Sequence, residues 1–527
     1  MRLRYAAPAA LSLLVAPAFA QTPTALDDVA LVQRYQATIT PAELAGHLYV
    51  YANDYMAGRE TGKPGQRFAA RYLAGQYATM GIGPKGTGEA NGNYGLDPYL
   101  QPFMLEQATL TRLTVSVMRD GQTLSTHILA PDALDDIAVV PVYGRVEDAT
   151  PGPLVYAGDG SGLDALDVEG AYVVLSPGAD QGATRAAFAA VQAAGGRAVI
   201  LASAPAASAL ARQASGAFAG GRLTLPAVEG AEEESGGLPP IFFTGQDVLA
   251  QAMQAAGIAA TDGVYPTGDT GLMLAVDAEY NVAQVETENV AAFIEGSDLK
   301  DEVVVISAHL DHIGSREVEE GEDGISNGAD DDGSGTVSLL EIAEAFQTAK
   351  QEGHGPRRSI LFLHVTGEEK GLLGSEYYAD HEPLIPMANT VADLNIDMIG
   401  RYDPERGFER TDYVYIIGAD LISQDIADWN AAVNDATGTD ILLSDRFNSP
   451  DDPNQFFRRS DHWNFGKYQV PFIFYFTGTH EDYHQVGDEP QKIDYDRMAR
   501  IDQLIFGTAW ELANRDERPA VSGVGFN

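Results

Sequence analysis

Four short, almost uninterrupted apolar runs punctuate the second half of the chain: Val303–Ala308, Ser359–Val365, Val391–Ile396 and Pro471–Phe476. Each is too short for a buried helix and lacks the alternation of a half-exposed strand, so each reads as a strand covered on both faces. Between the first two, Gly335–Ala349 repeats Val337, Leu340, Ile342 and Phe346 at helical spacing, and Leu372–Tyr378 also reads as a helix. Strands alternating with helices predict an α/β fold, a mixed, mostly parallel sheet flanked by helices. In open sheets of this kind ligands bind beyond the carboxyl ends of the strands, which says where to look for chemistry.

The rest of the 527 residues is organised around that block. Residues from about 27 to 80 read as helical, with Leu73, Tyr77 and Met80 at helical spacing, until the glycine-rich Gly81–Gly95 ends the pattern. A strand-like stretch comes next at Leu110–Val117. From Ile137 to Pro266 alanine, glycine and proline dominate and histidine is absent. Short apolar runs (Tyr172–Leu175, Ala198–Leu201, Pro240–Phe243) alternate there with an alanine-rich helix near Ala186–Ala194. This pattern predicts a smaller α/β or β-rich domain over 137–285, inserted between an N-terminal part at 21–136 and a main domain at 286–527. With no cluster of metal-ligand residues, the insert is expected to shape access or specificity.

Met1–Ala20 has basic Arg2 and Arg4, an apolar stretch around Ala9–Val15, and Ala18-Phe19-Ala20 before Gln21. That order reads as a signal peptide cleaved after Ala20, making the protein secreted or periplasmic. No later stretch reaches the roughly 18 apolar residues of a membrane span. The 33 Lys and Arg against 76 Asp and Glu give a net charge of −43. Such a surface argues against nucleic acid, whose phosphates need clustered cations, and against anionic membranes. There is no cysteine, which excludes disulfides, thiolate metal sites and cysteine nucleophiles. Any metal site must be built from histidine and carboxylates.

Such residues gather where the sheet rule places them. His309 and Asp311 come after the first run, Glu368 and Glu369 after the second, Asp397 ends the third, and His484 lies in the loop after the fourth. Asn327-Gly328-Ala329-Asp330-Asp331-Asp332-Gly333-Ser334-Gly335 connects the first strand to its helix. Taken singly, His309 reads as an ordinary buried histidine, Glu368-Glu369 as a solvated pair and Asp397 as a cap. Together, two Glu and several Asp at one edge need a cation to offset their desolvation, and these donors suit one or two divalent ions, zinc first. A competing pattern, Asp330-x-Asp332-x-Ser334-Gly335 with Glu341, matches a calcium-binding EF-hand loop. The Gly- and acid-rich stretch 319–329 before it does not read as the required incoming helix, and Val337, Leu340 and Glu341 fit the start of an amphipathic helix.

Five ordered motifs carry a resemblance: Ser307-Ala308-His309-Leu310-Asp311-His312; Gly328-Ala329-Asp330-Asp331-Asp332-Gly333-Ser334-Gly335; Gly367-Glu368-Glu369-x-Gly371-Leu372-x-Gly374-Ser375; Asn395-Ile396-Asp397-Met398; and Tyr483-His484. Over about residues 286–510 the chain resembles the co-catalytic zinc aminopeptidases, secreted exopeptidases of the bacterial leucyl-aminopeptidase and glutamate-carboxypeptidase type. Gly58-Arg59-Glu60-Thr61-Gly62 is similar to their N-terminal lead-in. The middle segment loosely resembles their inserted protease-associated domain.

The resemblance implies two Zn²⁺ per chain. His309 would bind one and His484 the other; Asp331 would bridge them; Glu369 would join one ion and Asp397 the other. Glu368 would stay off the metals as general base, and Asp311 would orient the His309 ring. Peptides would be the substrates, cut at the N-terminal bond. A carboxypeptidase or dipeptidase on the same site is the alternative, for which Arg357-Arg358 or Arg458-Arg459 would supply the anion binder. A glutaminyl-cyclase-like transferase fits the complete ligand set less well, and a catalytically dead binding protein would have lost ligands or Glu368. Ser460-Asp461-His462-Trp463 also resembles a stretch near the site, but a structural role is equally consistent. Phe457 stands where some relatives place a tyrosine that assists the oxyanion, and phenylalanine cannot donate a hydrogen bond. His312 reads either as support for the first ligand or as solvated.

Overall fold

The computed structural model describes residues 22–89, 95–133, 139–145, 149–176, 178, 181–203, 218, 220–226, 238–261, 264–449 and 452–523. Residues 1–20, read above as an export signal, lie outside them. The chain divides into two compact units, Met1–Gln101 with Glu288–Asn527, and Pro102–Thr287. The second unit starts earlier than the 137–285 set off by composition. The strand Leu100–Arg119, of which only Leu110–Val117 reads as a strand from sequence, carries the chain out of the first unit with no change of composition to mark the point.

In the first unit the sheet runs Leu442–Ser444, Tyr413–Ile417, Phe472–Phe476, Thr390–Ile396, Leu299–His309, Arg358–Val365, then the end of Gly268–Ile294 and the short Gly83–Pro84. The middle four strands are parallel, with His309 opposite Val365, Ser307 opposite Asn395, and Asn395 opposite Phe474. Antiparallel pairs flank them, so the sheet is mixed and mostly parallel. Successive side chains of one strand point to opposite faces. Val304, Ile306 and Ala308 accordingly enter one core, and Val303 and Val305 the other. Helices cover both faces, which is why these runs are apolar at every position.

Three helices in 29–80 realise the N-terminal reading: Val29–Gln36, Pro41–Tyr51 and Pro64–Met80. Proline sits in the first turn of the latter two, where its missing N–H costs nothing. The Thr40 hydroxyl accepts from the Glu43 backbone N–H (3.3 Å) and so caps the second helix. Gly81, at φ 75°, ends the third in the left-handed conformation. On the same core, the helices Gly335–Gln351 and Tyr495–Asn514 meet through Phe346 and Trp510, ring centroids 5.9 Å apart and nearly parallel. Burying each such side chain contributes roughly 1.5–3 kcal/mol. Phe346→Ala would cost about 3–5 kcal/mol through the cavity it leaves.

The second unit is α/β. Gly152–Tyr156, Tyr172–Leu175, Ala198–Ser203 and Ile241–Gly245 are parallel neighbours, with helices Gln181–Ala193 and Gln246–Ala256 among them. Two apolar clusters fill its faces. Among the described residues, neither candidate metal cluster falls in this unit.

Candidate metal centre

The parallel strands deliver the sequence-selected residues to one edge. His309 is the last residue of Leu299–His309. Its Nδ1 faces the Asp311 backbone carbonyl at 3.2 Å, with the Asp311 carboxylate farther off at 3.8 Å. Its Nε2 faces Asp331 Oδ1 (3.3 Å) and Asp397 Oδ1 (3.7 Å). His484 Nε2 lies 3.1 Å from Asp331 Oδ2 and 3.1 Å from Glu369 Oε2. Asp331 thus turns one oxygen toward each histidine. His312 completes the second group, its Nδ1 2.7 Å from Glu369 Oε1. It is fully buried, so it is not a solvated residue.

Of three consecutive aspartates, Asp331 alone presents its carboxylate to these histidines without being tied down by backbone. Asp332 accepts from the N–H groups of His309 (3.2 Å), Gly335 (2.9 Å) and Met398 (3.1 Å). Asp330 accepts from Gly400 N–H (2.6 Å) and lies 3.2 Å from His480 Nε2. Gly335 starts its helix so close to the next strand that a Cβ there would lie 2.5 Å from the Ile396 carbonyl oxygen and 2.5 Å from Asp332 Oδ1. The Asp488 carboxylate accepts the N–H of Asp330 (3.0 Å) and of Asp331 (3.1 Å), clasping that backbone to the loop that carries His484.

Other support comes from the N-terminal segment. Thr61 donates to Asp311 Oδ2 (2.7 Å), and Asp311 Oδ1 accepts the Glu368 N–H (3.2 Å). Buried Arg59 donates to the carbonyls of Leu310 (3.2 Å), Asn327 (2.5 Å) and Gly328 (2.8 Å). Hydrogen bonds of this kind leave no pattern in sequence; the Gly58–Gly62 motif was the one available signal for Arg59 and Thr61. Asp488 gave none.

The electrostatics result from crowding acids and imidazoles out of water. Burial works against a charge on His309, but the Glu368 charge and the nearby carboxylates of Asp331 and Asp397 hold its pKa well above the usual value. His484 is raised to about 10 by Asp331 and Glu369 against the same opposition. Glu369 is pulled down to about 2, because the His312 and His484 imidazoles beside it outweigh burial and the Asp331 charge. Glu368 goes the other way: burial first, then the charges of Glu369, Asp397 and Asp461, push its pKa well above the carboxylate range, against the pull of His309.

These residues fit a divalent cation. Asp331 Oδ2 and Glu369 Oε1 are buried yet make no hydrogen bond of acceptable geometry, although imidazoles stand within reach. Side chains that converge on a shared point without bonding one another are arranged as ligands are. Among the described residues His309, Asp332 and Asp397 form one group, and His312, Asp331 and Glu369 another, in each of which the donor atoms sit within 4.8 Å of one another.

A cavity opens over this edge. Asp331, Glu368, Asp397 and His484 form its charged end, Met398, Phe456, Phe474 and Phe476 its apolar wall, and Thr479, Tyr483 and Arg459 the remainder. Ser460, Asp461 and His462 are buried away from it: Asp461 accepts from Ser375 (2.6 Å), Ser460 from Asn395 (2.9 Å), and His462 Nε2 meets the Phe457 carbonyl (2.9 Å). Phe457 packs against Trp463. The EF-hand reading fails: Glu341 sits mid-helix with its carboxylate 3.3 Å from His47 Nε2, and residues 319–328 contain no helix. Arg357 and Arg358 are committed elsewhere, to Asp298, Asp516 and Glu302.

The fold and this edge define an open α/β sheet with an imidazole–carboxylate centre at the ends of its parallel strands. Residues 289–509 match the model of peptidase family M28. The chain is 28% identical over 261 residues to a probable zinc metalloprotease of Pyricularia oryzae, covering 44% of this chain and 50% of that one. It is 24% identical over 224 residues to the aminopeptidase YwaD of Bacillus subtilis, covering 41% and 43%. The chain spans about half the length of the curated relatives it matches. The solved aminopeptidase from Aneurinibacillus sp. strain AM-1 superposes over 93% of this chain and 98% of its own, with a TM-score of 0.52 and 18% identity, a likeness of fold.

Proposed function

We propose that the protein is a secreted or periplasmic zinc-dependent exopeptidase, an aminopeptidase that removes the N-terminal residue of peptides. The observation that carries this reading is Asp331 standing between His309–Asp397 and His484–Glu369, with Glu368 beside them in the same cavity. His309 and Asp397 would hold one ion, His484 and Glu369 the other, and Asp331 would reach both. Bound there, the two ions supply an acidified water and polarise the scissile carbonyl. Glu368, next to the ligands but paired with none of them, takes the proton of the attacking water and delivers it to the leaving amine. The environment that raises its pKa suits this double use. The Asp311 carbonyl behind Nδ1 fixes the His309 tautomer so that Nε2 faces forward. With Phe457 packed elsewhere, the cavity-lining hydroxyls that could serve a developing oxyanion are those of Thr479 and of Tyr483, whose ring stacks on His484 at 3.9 Å.

The test is hydrolysis of aminoacyl-p-nitroanilides against N-blocked counterparts, with and without chelator, alongside metal analysis. Chelator-sensitive turnover of free-amine substrates and about two zinc ions per chain are expected. Chelator-insensitive turnover, or none with zinc restored, refutes the reading. Export through Met1–Ala20 and a protease-associated-like role for the second unit belong to the same proposal; fractionation of the native host tests the former.

A further inference from the structure

Arg459 is, among the described residues, the cationic side chain lining a cavity otherwise walled by carboxylates, imidazole and aromatic rings. Its guanidinium lies over the Phe456 ring, 4.8 Å from the centroid, and one of its nitrogens donates to the Tyr483 hydroxyl at 3.2 Å. The ring covers one face and the phenol oxygen accepts one N–H, while the side chain itself is exposed and open to a ligand entering the cavity. One N–H is used on Tyr483, and guanidinium has five. Its neighbour Arg458 is engaged differently, over Phe457 and Trp463.

A positioned guanidinium with donors to spare recognises planar anions, carboxylates above all. Resting on the exopeptidase reading above, we propose that Arg459 is a specificity-determining residue that binds a substrate carboxylate, so that the cavity favours peptides carrying a negative group close to the cleaved bond. Two sources share this chemistry: an acidic side chain on the released residue, and the terminal carboxylate of a dipeptide. Both charges of such a substrate would meet a partner in the cavity lining, its free amine among Asp331, Glu368 and Asp397 and its carboxylate at Arg459.

The zinc-loaded full-length protein is assayed on two pairs of substrates, Glu- against Leu-p-nitroanilide and Leu-Leu against Leu-Leu-amide. The readout is the ratio of kcat/KM within each pair, which is independent of how much of a preparation is folded. Arg459→Ala lowers at least one ratio by about tenfold, the size of one well-placed charged hydrogen bond. Arg459→Lys, which keeps charge but not the fork, retains part of it. The pair that responds identifies the source. If neither ratio falls by about threefold in Arg459→Ala and Arg459→Glu, a change too small for a directed charge pair, the assignment is wrong. Turnover of no substrate by the wild type would instead refute the exopeptidase reading.

Discussion

The Thr61 hydroxyl donates to the Asp311 carboxylate at 2.7 Å, joining residues 250 positions apart in the chain. The other oxygen of that carboxylate receives the N–H of Glu368, so a threonine in the N-terminal segment helps position the proposed base. Thr61→Val keeps the shape and removes the donor from a fully buried acid. A loss of about 1–3 kcal/mol in urea unfolding is expected, together with a lower kcat at nearly unchanged KM. A wild-type kcat in that variant would separate the N-terminal segment from catalysis.

Glu368 touches the cavity but pairs with neither histidine. Glu368→Gln is therefore expected to lower kcat by a factor on the order of 10²–10⁴ while zinc content stays near that of the wild type. Loss of metal along with activity would make it a ligand instead.

Metal binding must displace protons here. His484 is held to about 10, so it carries a proton at pH 7–8 that a cation has to remove. Zinc affinity should strengthen as pH rises toward 10, and calorimetry in buffers of different ionisation enthalpy should register proton release. Affinity that is flat between pH 6 and 9 would contradict the arrangement.

Two histidines well inside the fold are neutral for the opposite reason. Burial lowers His364, beside the Tyr77 hydroxyl at 2.8 Å, and His462, stacked on Phe474, to about 3 each. An unfolded histidine titrates near 6.5, so below that pH the unfolded chain binds more protons. The stability these groups confer is complete above about pH 6.5 and declines as pH falls toward 3, by up to a few kcal/mol each. Urea unfolding of His364→Asn at pH 7.5 and pH 5 should show a smaller pH dependence than the wild type; an equal one refutes the point.

The strands were legible because they are buried on both faces, which leaves apolar runs that no helix period explains. The convergence of His309, Asp331, Glu369, Asp397 and His484 was legible because the edge of a parallel sheet gathers the residues that come directly after each strand. The supports that hold them could not be read. Asp332 and Asp488 spend their carboxylates on backbone N–H groups, and such bonds depend on loop paths that composition does not encode. The same limit applied to the arginines: Arg357, Arg358, Arg458 and Arg459 look alike in sequence, and only packing separates the buried braces Arg357 and Arg358, and Arg458 over Phe457, from the one lining the cavity. The start of the second unit was hidden because one strand leaves the first unit without a change in residue type.

The clasp made by Asp488 has a consequence for exchange. The loop bearing His484 cannot swing outward alone, because Asp488 ties it to the backbone of Asp331, which is turned toward His309 as well. Opening either half of the centre therefore loosens the other. Two zinc ions bound as proposed would leave together under chelation, in a single kinetic phase, with the doorway and the anchor being one piece of chain.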